Sequence, residues 1–172
     1  MWAVFLLAAI TMGAAVPVHD DVDDVVAKEF HFHLYYFQTN NASSAYAAEL
    51  VTRITAMSAS MDTFIGVPLH LNTKPVGPHP VGSCEVWCPR EYFARAYSWF
   101  ALNRGPLSIL IHPLTRHELR DHTDRAAWLG PSFRLDLSVL SPLLDKPPLQ
   151  YPELHLGYSA PTDAVTRVAM PI

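Results

Sequence analysis

The stretch Phe30-His31-Phe32-His33-Leu34-Tyr35-Tyr36-Phe37 decides how the rest of this chain is read. Its residues are almost all aromatic or histidine, a composition that favours an extended strand over a helix. Side chains alternate across a strand. Phe30, Phe32, Leu34 and Tyr36 therefore share one side, and His31, His33 and Tyr35 share the other. One side suits a hydrophobic core. The opposite side carries imidazoles.

Working outward, Gln38 to Asn41 supplies turn chemistry, and Ala47, Leu50, Val51, Ile54, Met57 and Met61 then recur at helical spacing. This predicts an amphipathic helix from Ser43 to about Met61. A second strand is expected from Gly66 to Asn72, a proline-rich loop from Pro75 to Gly82, and a third strand from Gly82 to Cys88. Pro89 suits the first position of a helix, where its missing N–H costs nothing. That helix would bury Phe93, Ala96, Tyr97 and Phe100 and end at Gly105, before a fourth strand from Leu107 to His112.

The order β-α-β-β-α-β predicts an α+β, ferredoxin-like domain over residues 29–140, a four-stranded antiparallel sheet with both helices on one face. The other face would stay open. Thr115 and Glu118 have capping-box spacing for a short helix running towards Trp128. Residues 141–172 are rich in proline and read as an extended tail, suited to wrapping a partner subunit.

The same alternation sorts the remaining strands. Val67, Leu69 and Leu71, then Cys84, Val86 and Cys88, then Leu107, Ile109 and Ile111 are expected to face the helices. His31, His33, His70, Glu85 and His112 then converge on the open face. A half-solvated antiparallel sheet always alternates polar with apolar residues, so one such histidine signifies little. Several, with a glutamate on the same face, point to ion binding. Two or three neutral imidazoles and a carboxylate on separate strands form a ligand set with open positions, as non-haem Fe(II) oxygenases require. The same donors would hold zinc, which activates water but not dioxygen by redox.

Composition narrows the classes further. The chain has 172 residues, half of them apolar, enough for a single domain with a real core. A formal net charge of −4 gives no electrostatic case for nucleic acid or an anionic membrane. Trp2 to Met12 is apolar apart from Thr11, too short to span a bilayer, and runs into Gly13-Ala14-Ala15. Residues 1–15 therefore read as a signal peptide cleaved after Ala15, with a secreted product and residues 16–28 as an acidic spacer. Asn41-Ala42-Ser43 is an N-glycosylation sequon. Cys84 and Cys88, on one strand, would lie about 13 Å apart, too far for a disulfide, so both are expected as buried thiols.

The motifs carry a family resemblance. His31-Phe32-His33-Leu34-Tyr35-Tyr36-Phe37 resembles the opening His-x-His strand of the DOPA 4,5-dioxygenase family. Gly77-Pro78-His79-Pro80 with Glu85-Val86-Trp87 is similar to its second signature, and Asn103-Arg104-Gly105 with Leu107 to Pro113 to its third. Asp121-His122-Thr123-Asp124 with Trp128-Leu129-Gly130 is similar to the fourth. The resemblance implies extradiol cleavage of the catechol ring of L-DOPA or a related catechol by O2, towards betalain-type pigment precursors. It also implies a homo-oligomer.

Carried over, it nominates His31, His33, His79 and His112 as ligands of Fe(II), with zinc as the alternative. It makes Glu85 and His122 candidates for catalytic acid/base or ligand roles. His70 lies outside the motifs and ranks lower, and His117 and His155 are expected to be solvated. Two rival readings use the same residues: a secreted zinc-dependent hydrolase or lyase, and a non-catalytic metal-binding or interaction module.

Overall fold

The computed structural model describes residues 26–60 and 64–161. The expected signal peptide, the spacer before residue 26, Met61 at the end of the expected helix, and the tail beyond residue 161 lie outside them. Among the described residues, no helix is long and apolar enough to cross a membrane.

β1 (Glu29–Tyr36) pairs antiparallel with β3 (Gly82–Pro89) on one side and with β4 (Ser108–Pro113) on the other. β2 (Val67–Pro68) extends the sheet beyond β3, and β5 (Ala127–Leu129) extends it beyond β4. The strand order is β2-β3-β1-β4-β5. α1 (Asn41–Ser60) connects β1 to β2, and α2 (Phe93–Asn103) connects β3 to β4. Asn40 starts α1 by accepting the Ser43 N–H at 3.0 Å through Oδ1, a side-chain cap for an otherwise unpaired donor.

Both helices pack on one face of the sheet. Ala47, Leu50 and Ile54 of α1 and Ala96 and Phe100 of α2 bury against Phe32, Leu34, Cys84, Val86, Ile109 and Ile111. The parity expected for β1, β3 and β4 therefore holds. Cys84 and Cys88 are free and buried on the core side.

The sheet has five strands, where four were expected. Trp128 belongs to the short β5, paired with Leu110, and the expected helix shrinks to one turn, α3 (Glu118–Asp121). The capping box does not form, because its groups are engaged elsewhere. Thr115 Oγ1 donates to the buried Asp121 carboxylate at 2.8 Å, and Glu118 Oε2 accepts the Ser141 N–H at 2.7 Å. At α2, Pro89 closes β3, and a turn of 3-10 helix at Arg90–Tyr92 precedes the helix proper.

The long second strand breaks after two residues. Pro68 pairs with Val86 and Asn72 with Ser83, so four steps on one strand match three on its neighbour. That extra residue is a bulge, and a bulge reverses side-chain parity. Val67 accordingly packs with Ile65, Trp87 and Leu114 on the site face, whereas Leu71 reaches the core beyond the bulge. Leu69, expected inside, is exposed.

The site face is roofed, not open. Chain following β4 folds back over it, and Tyr151 and Leu156 from the proline-rich segment cover Trp87. Tyr158 donates its N–H to Glu29 at 2.9 Å and its hydroxyl to the Leu114 carbonyl at 2.8 Å. The described part of that segment therefore packs on its own domain.

Phe32 stacks on Phe100 with ring centroids 4.9 Å apart at the centre of the core. Phe32→Ala is expected to lower the unfolding free energy by about 3–5 kcal/mol. Urea denaturation measures this, and a loss below about 1 kcal/mol would contradict the core assignment.

Candidate functional site

The pleat that buries Phe32 and Leu34 turns His31 and His33 to the opposite side. Register then sets their neighbours. His31 lies across from Trp87 on β3 and His112 on β4, and His33 lies across from Glu85 and Leu110. His79 arrives from the proline-rich loop, and His122 follows α3. All six motif-derived residues, His31, His33, His79, Glu85, His112 and His122, line one cavity of about 260 Å³. Gln150 from the C-terminal segment lines it too.

His33 is the hub. Its Nε2 lies 3.0 Å from His112 Nε2, and its ring sits 4.2 Å from His79 and 5.3 Å from His31, centre to centre. Two triads could hold a metal ion: His31, His33 and His112, and His33, His79 and His122. In each, the ligand atoms lie within 4.8 Å of one another. The first triad unites three of the four expected ligands. His79, the fourth, groups instead with His33 and His122. Glu85 belongs to neither set; its Oε1 lies 3.3 Å from His31 Nε2.

The donor chemistry fits a cation. His112 donates its Nδ1–H to the Pro113 carbonyl at 2.7 Å, and His122 donates its Nδ1–H to the Glu118 carbonyl at 2.9 Å. Each then presents a bare Nε2, the tautomer a metal requires. Metal–imidazole bonds of about 2.1 Å at right angles put ligand nitrogens about 3.0 Å apart. The His33–His112 pair already has that separation.

Burial and the surrounding imidazoles hold His33 and His112 well below the usual histidine range. His79 is pushed down to about 4, chiefly by burial and then by His122 and His31. Burial also lowers His31, against the opposing pull of Glu85. These rings are neutral at pH 7, which is the ligating form.

Tyr35 was not singled out from sequence. Its hydroxyl meets His79 Nδ1 at 2.5 Å, fixing that ring over the cavity. Burial pushes the Tyr35 phenol far up, so it stays protonated. Its ring stacks on Phe133 at 5.2 Å and leans on Trp128 at 5.1 Å. Those two aromatics line an adjoining cleft of about 610 Å³ that is also bounded by His122. Asp121 was also missed as a support. It is buried, accepts from Thr115 and Arg125, and anchors the turn that carries His122.

His70 stays outside the cluster. It is exposed and borders a second depression that His33, His79 and Glu85 also line, but it belongs to neither triad. His155 is exposed as expected, but His117 is half-buried, because the α3 turn folds it against the domain.

Depressed histidines fix the sign of the pH dependence. Near pH 6.5 unfolded imidazoles begin to take up protons that native His33, His79 and His112 refuse. The unfolded state then binds more protons, so metal-free stability is full above pH 6.5 and falls towards pH 4. A loss of roughly 1 kcal/mol per pH unit or more is expected, from ~1.4 kcal/mol per unit for each such histidine. Urea midpoints at pH 7 and pH 5 measure it, and a flat or opposite trend would contradict the burial of these rings.

Comparison with known proteins adds a second line of observation. A model of the Dopa 4,5-dioxygenase family matches residues 30–139. A DOPA 4,5-dioxygenase of Amanita muscaria is 51% identical over 138 residues, and the match covers 80% of this chain and 60% of that protein. An uncharacterised 21.2 kDa protein of Botryotinia fuckeliana is 36% identical over 133 residues, covering 72% of this chain and 69% of the relative. Among solved structures, a candidate dioxygenase from Nostoc punctiforme shares 31% identity at a TM-score of 0.58, covering 66% of this chain and 90% of its own. The matched span contains every residue of both histidine triads. The chain belongs to the Dopa 4,5-dioxygenase family.

Proposed function

We propose that this protein is a metal-dependent extradiol dioxygenase that opens the catechol ring of L-DOPA or a related catechol with O2. The observation that carries the reading is the buried triad of His31, His33 and His112, whose ligand atoms lie within 4.8 Å of one another. The matching family and the Amanita muscaria relative supply the substrate class. We take the four strands β2-β3-β1-β4 as a ferredoxin-like frame that carries β5 as an addition.

In this reading His31, His33 and His112 hold Fe(II). When bound, Fe(II) supplies the redox chemistry that lets dioxygen react with a catechol held beside it. The remaining work falls to the chain. Trp128 and Phe133 line the cleft at His122 and offer apolar faces to an aromatic ring. His122, with its Nδ1–H tied to Glu118, turns Nε2 to the cavity and takes a catechol proton there. His79, steadied by the Tyr35 hydroxyl, stands beside His33, where it would hydrogen-bond to an oxygen of the substrate. The roof excludes bulk water, and that strengthens each of these contacts.

The zinc reading has one specific support, for neither triad includes a carboxylate. An all-imidazole set is one that zinc uses to activate water.

Anaerobic reconstitution with Fe(II), then oxygen uptake on L-DOPA, tests the proposal. Iron retention with catechol-dependent uptake is expected. His33→Ala should abolish both, with at least a 100-fold loss of uptake, whereas His70→Ala should leave both within about twofold. Zinc retention without oxygen uptake would favour the hydrolytic reading. Metal loss in His70→Ala but not in His33→Ala would overturn the site.

A further inference from the structure

We infer that Gln150, from the segment beyond the family match, is a positioning residue that fixes the tautomer of His31 and thereby completes the metal centre. The metal-centre part rests on the proposed function, but the tautomer part stands on hydrogen bonding alone.

The cavity holds one carboxamide, and both its ends are engaged. Gln150 Nε2 lies 3.1 Å from Glu85 Oε1, and Gln150 Oε1 lies 2.8 Å from His31 Nε2. An ionised carboxylate only accepts hydrogen bonds, so the amide N–H must face Glu85 and the amide oxygen must face His31. His31 Nε2 therefore meets two oxygens, the amide at 2.8 Å and Glu85 Oε1 at 3.3 Å. It must carry the proton and donate. In neutral His31 the lone pair then sits on Nδ1, the only nitrogen left for an ion. A partner on the far nitrogen is how proteins commonly select a ligand's tautomer and aim its ring.

The backbone holds Gln150 in place from both sides. Upstream, the Leu144 N–H donates to the Arg116 carbonyl at 2.8 Å, and Arg116 Nε donates back to the Leu144 carbonyl at 2.9 Å. Downstream, Tyr158 is tied to Glu29 and to Leu114. Pro147 and Pro148 stiffen the span between, and Pro148 itself lines the cavity. Tyr151, the next residue, takes a left-handed conformation with φ 48° while its ring rests on Trp87. Non-glycine residues adopt that conformation only where the surroundings enforce it, most often at functional sites. The left-handed turn at Tyr151 directly follows the residue whose side chain reaches His31.

The test uses full-length protein, Gln150→Leu and the unbranched Gln150→Met, with Leu149→Ala as control, since Leu149 is 57% exposed on the same strap. Nitrogen-15 NMR of labelled histidine in metal-free protein reads the His31 tautomer. Competition with a chromophoric chelator reads affinity for Zn(II) and for anaerobic Fe(II). A single Nε2–H tautomer is expected in wild type and in Leu149→Ala. Both Gln150 variants should shift the His31 Nε2–H signature, since only Glu85 at 3.3 Å remains to accept from it, and lose 10- to 100-fold in metal affinity. An unchanged His31 signature in both Gln150 variants would overturn the inference, as would an equal loss in Leu149→Ala. Should the wild type bind neither ion, the proposed function fails, while the tautomer comparison still decides the role of Gln150.

Discussion

The register of β1 between β3 and β4 is the constraint on which the rest depends. β1 is the central strand of the sheet, and its alternate residues do opposite work. Phe32 and Leu34 are held against α1 and α2 by the core, and this fixes His31 and His33 on the far side. A slip of one residue would carry both imidazoles into the core and both apolar side chains out. Hydrophobic burial, which is not directional, thereby aims two directional ligands. His112 shares the arrangement, since Ile109 and Ile111 anchor β4 by the same alternation.

Convergence alone would leave imidazoles on a wet surface. The chain after β4 changes that by covering the sheet, so that His33 and His112 are only 3% and 1% exposed. Burying several imidazoles together is unfavourable for any that takes a proton, because each would be desolvated and would repel the others. The same crowding leaves a set of neutral imidazoles gathered around a small volume. Backbone carbonyls at Pro113 and Glu118 and the Tyr35 hydroxyl occupy the far nitrogens of His112, His122 and His79. Carbonyl acceptors fix the tautomers of His112 and His122, and such a set of neutral rings has the donor chemistry of a cation site. A cleft lined by Trp128 and Phe133 adjoins it at His122.

Much of this was legible in the sequence where the physics is periodic. Strands β1, β3 and β4 alternate without interruption, so a count of two placed His31, His33, Glu85 and His112 on one face. The count failed in the second strand. Pro68 and the bulge that follows it break the pairing with β3, and periodicity cannot register an inserted residue. His70, next to core-facing Leu71, keeps the site face but lies exposed at the sheet edge outside both triads. β5 escaped notice because three residues are too few to show alternation, and the capping-box spacing before it suggested a helix. His79 and His122 sit in irregular chain, where only motif resemblance marked them. Gln150 had no signal at all, because a lone glutamine in a proline-rich segment has neither period nor motif. Its part depends on a fold-back that no local pattern encodes.

The central claim is that imidazoles from β1 and β4 share one ion. X-ray absorption at the iron edge, on full-length protein loaded anaerobically with Fe(II), tests it most directly. An inner shell containing about three imidazoles is expected, recognised by the multiple scattering of their rings. A shell of oxygen atoms alone would contradict it.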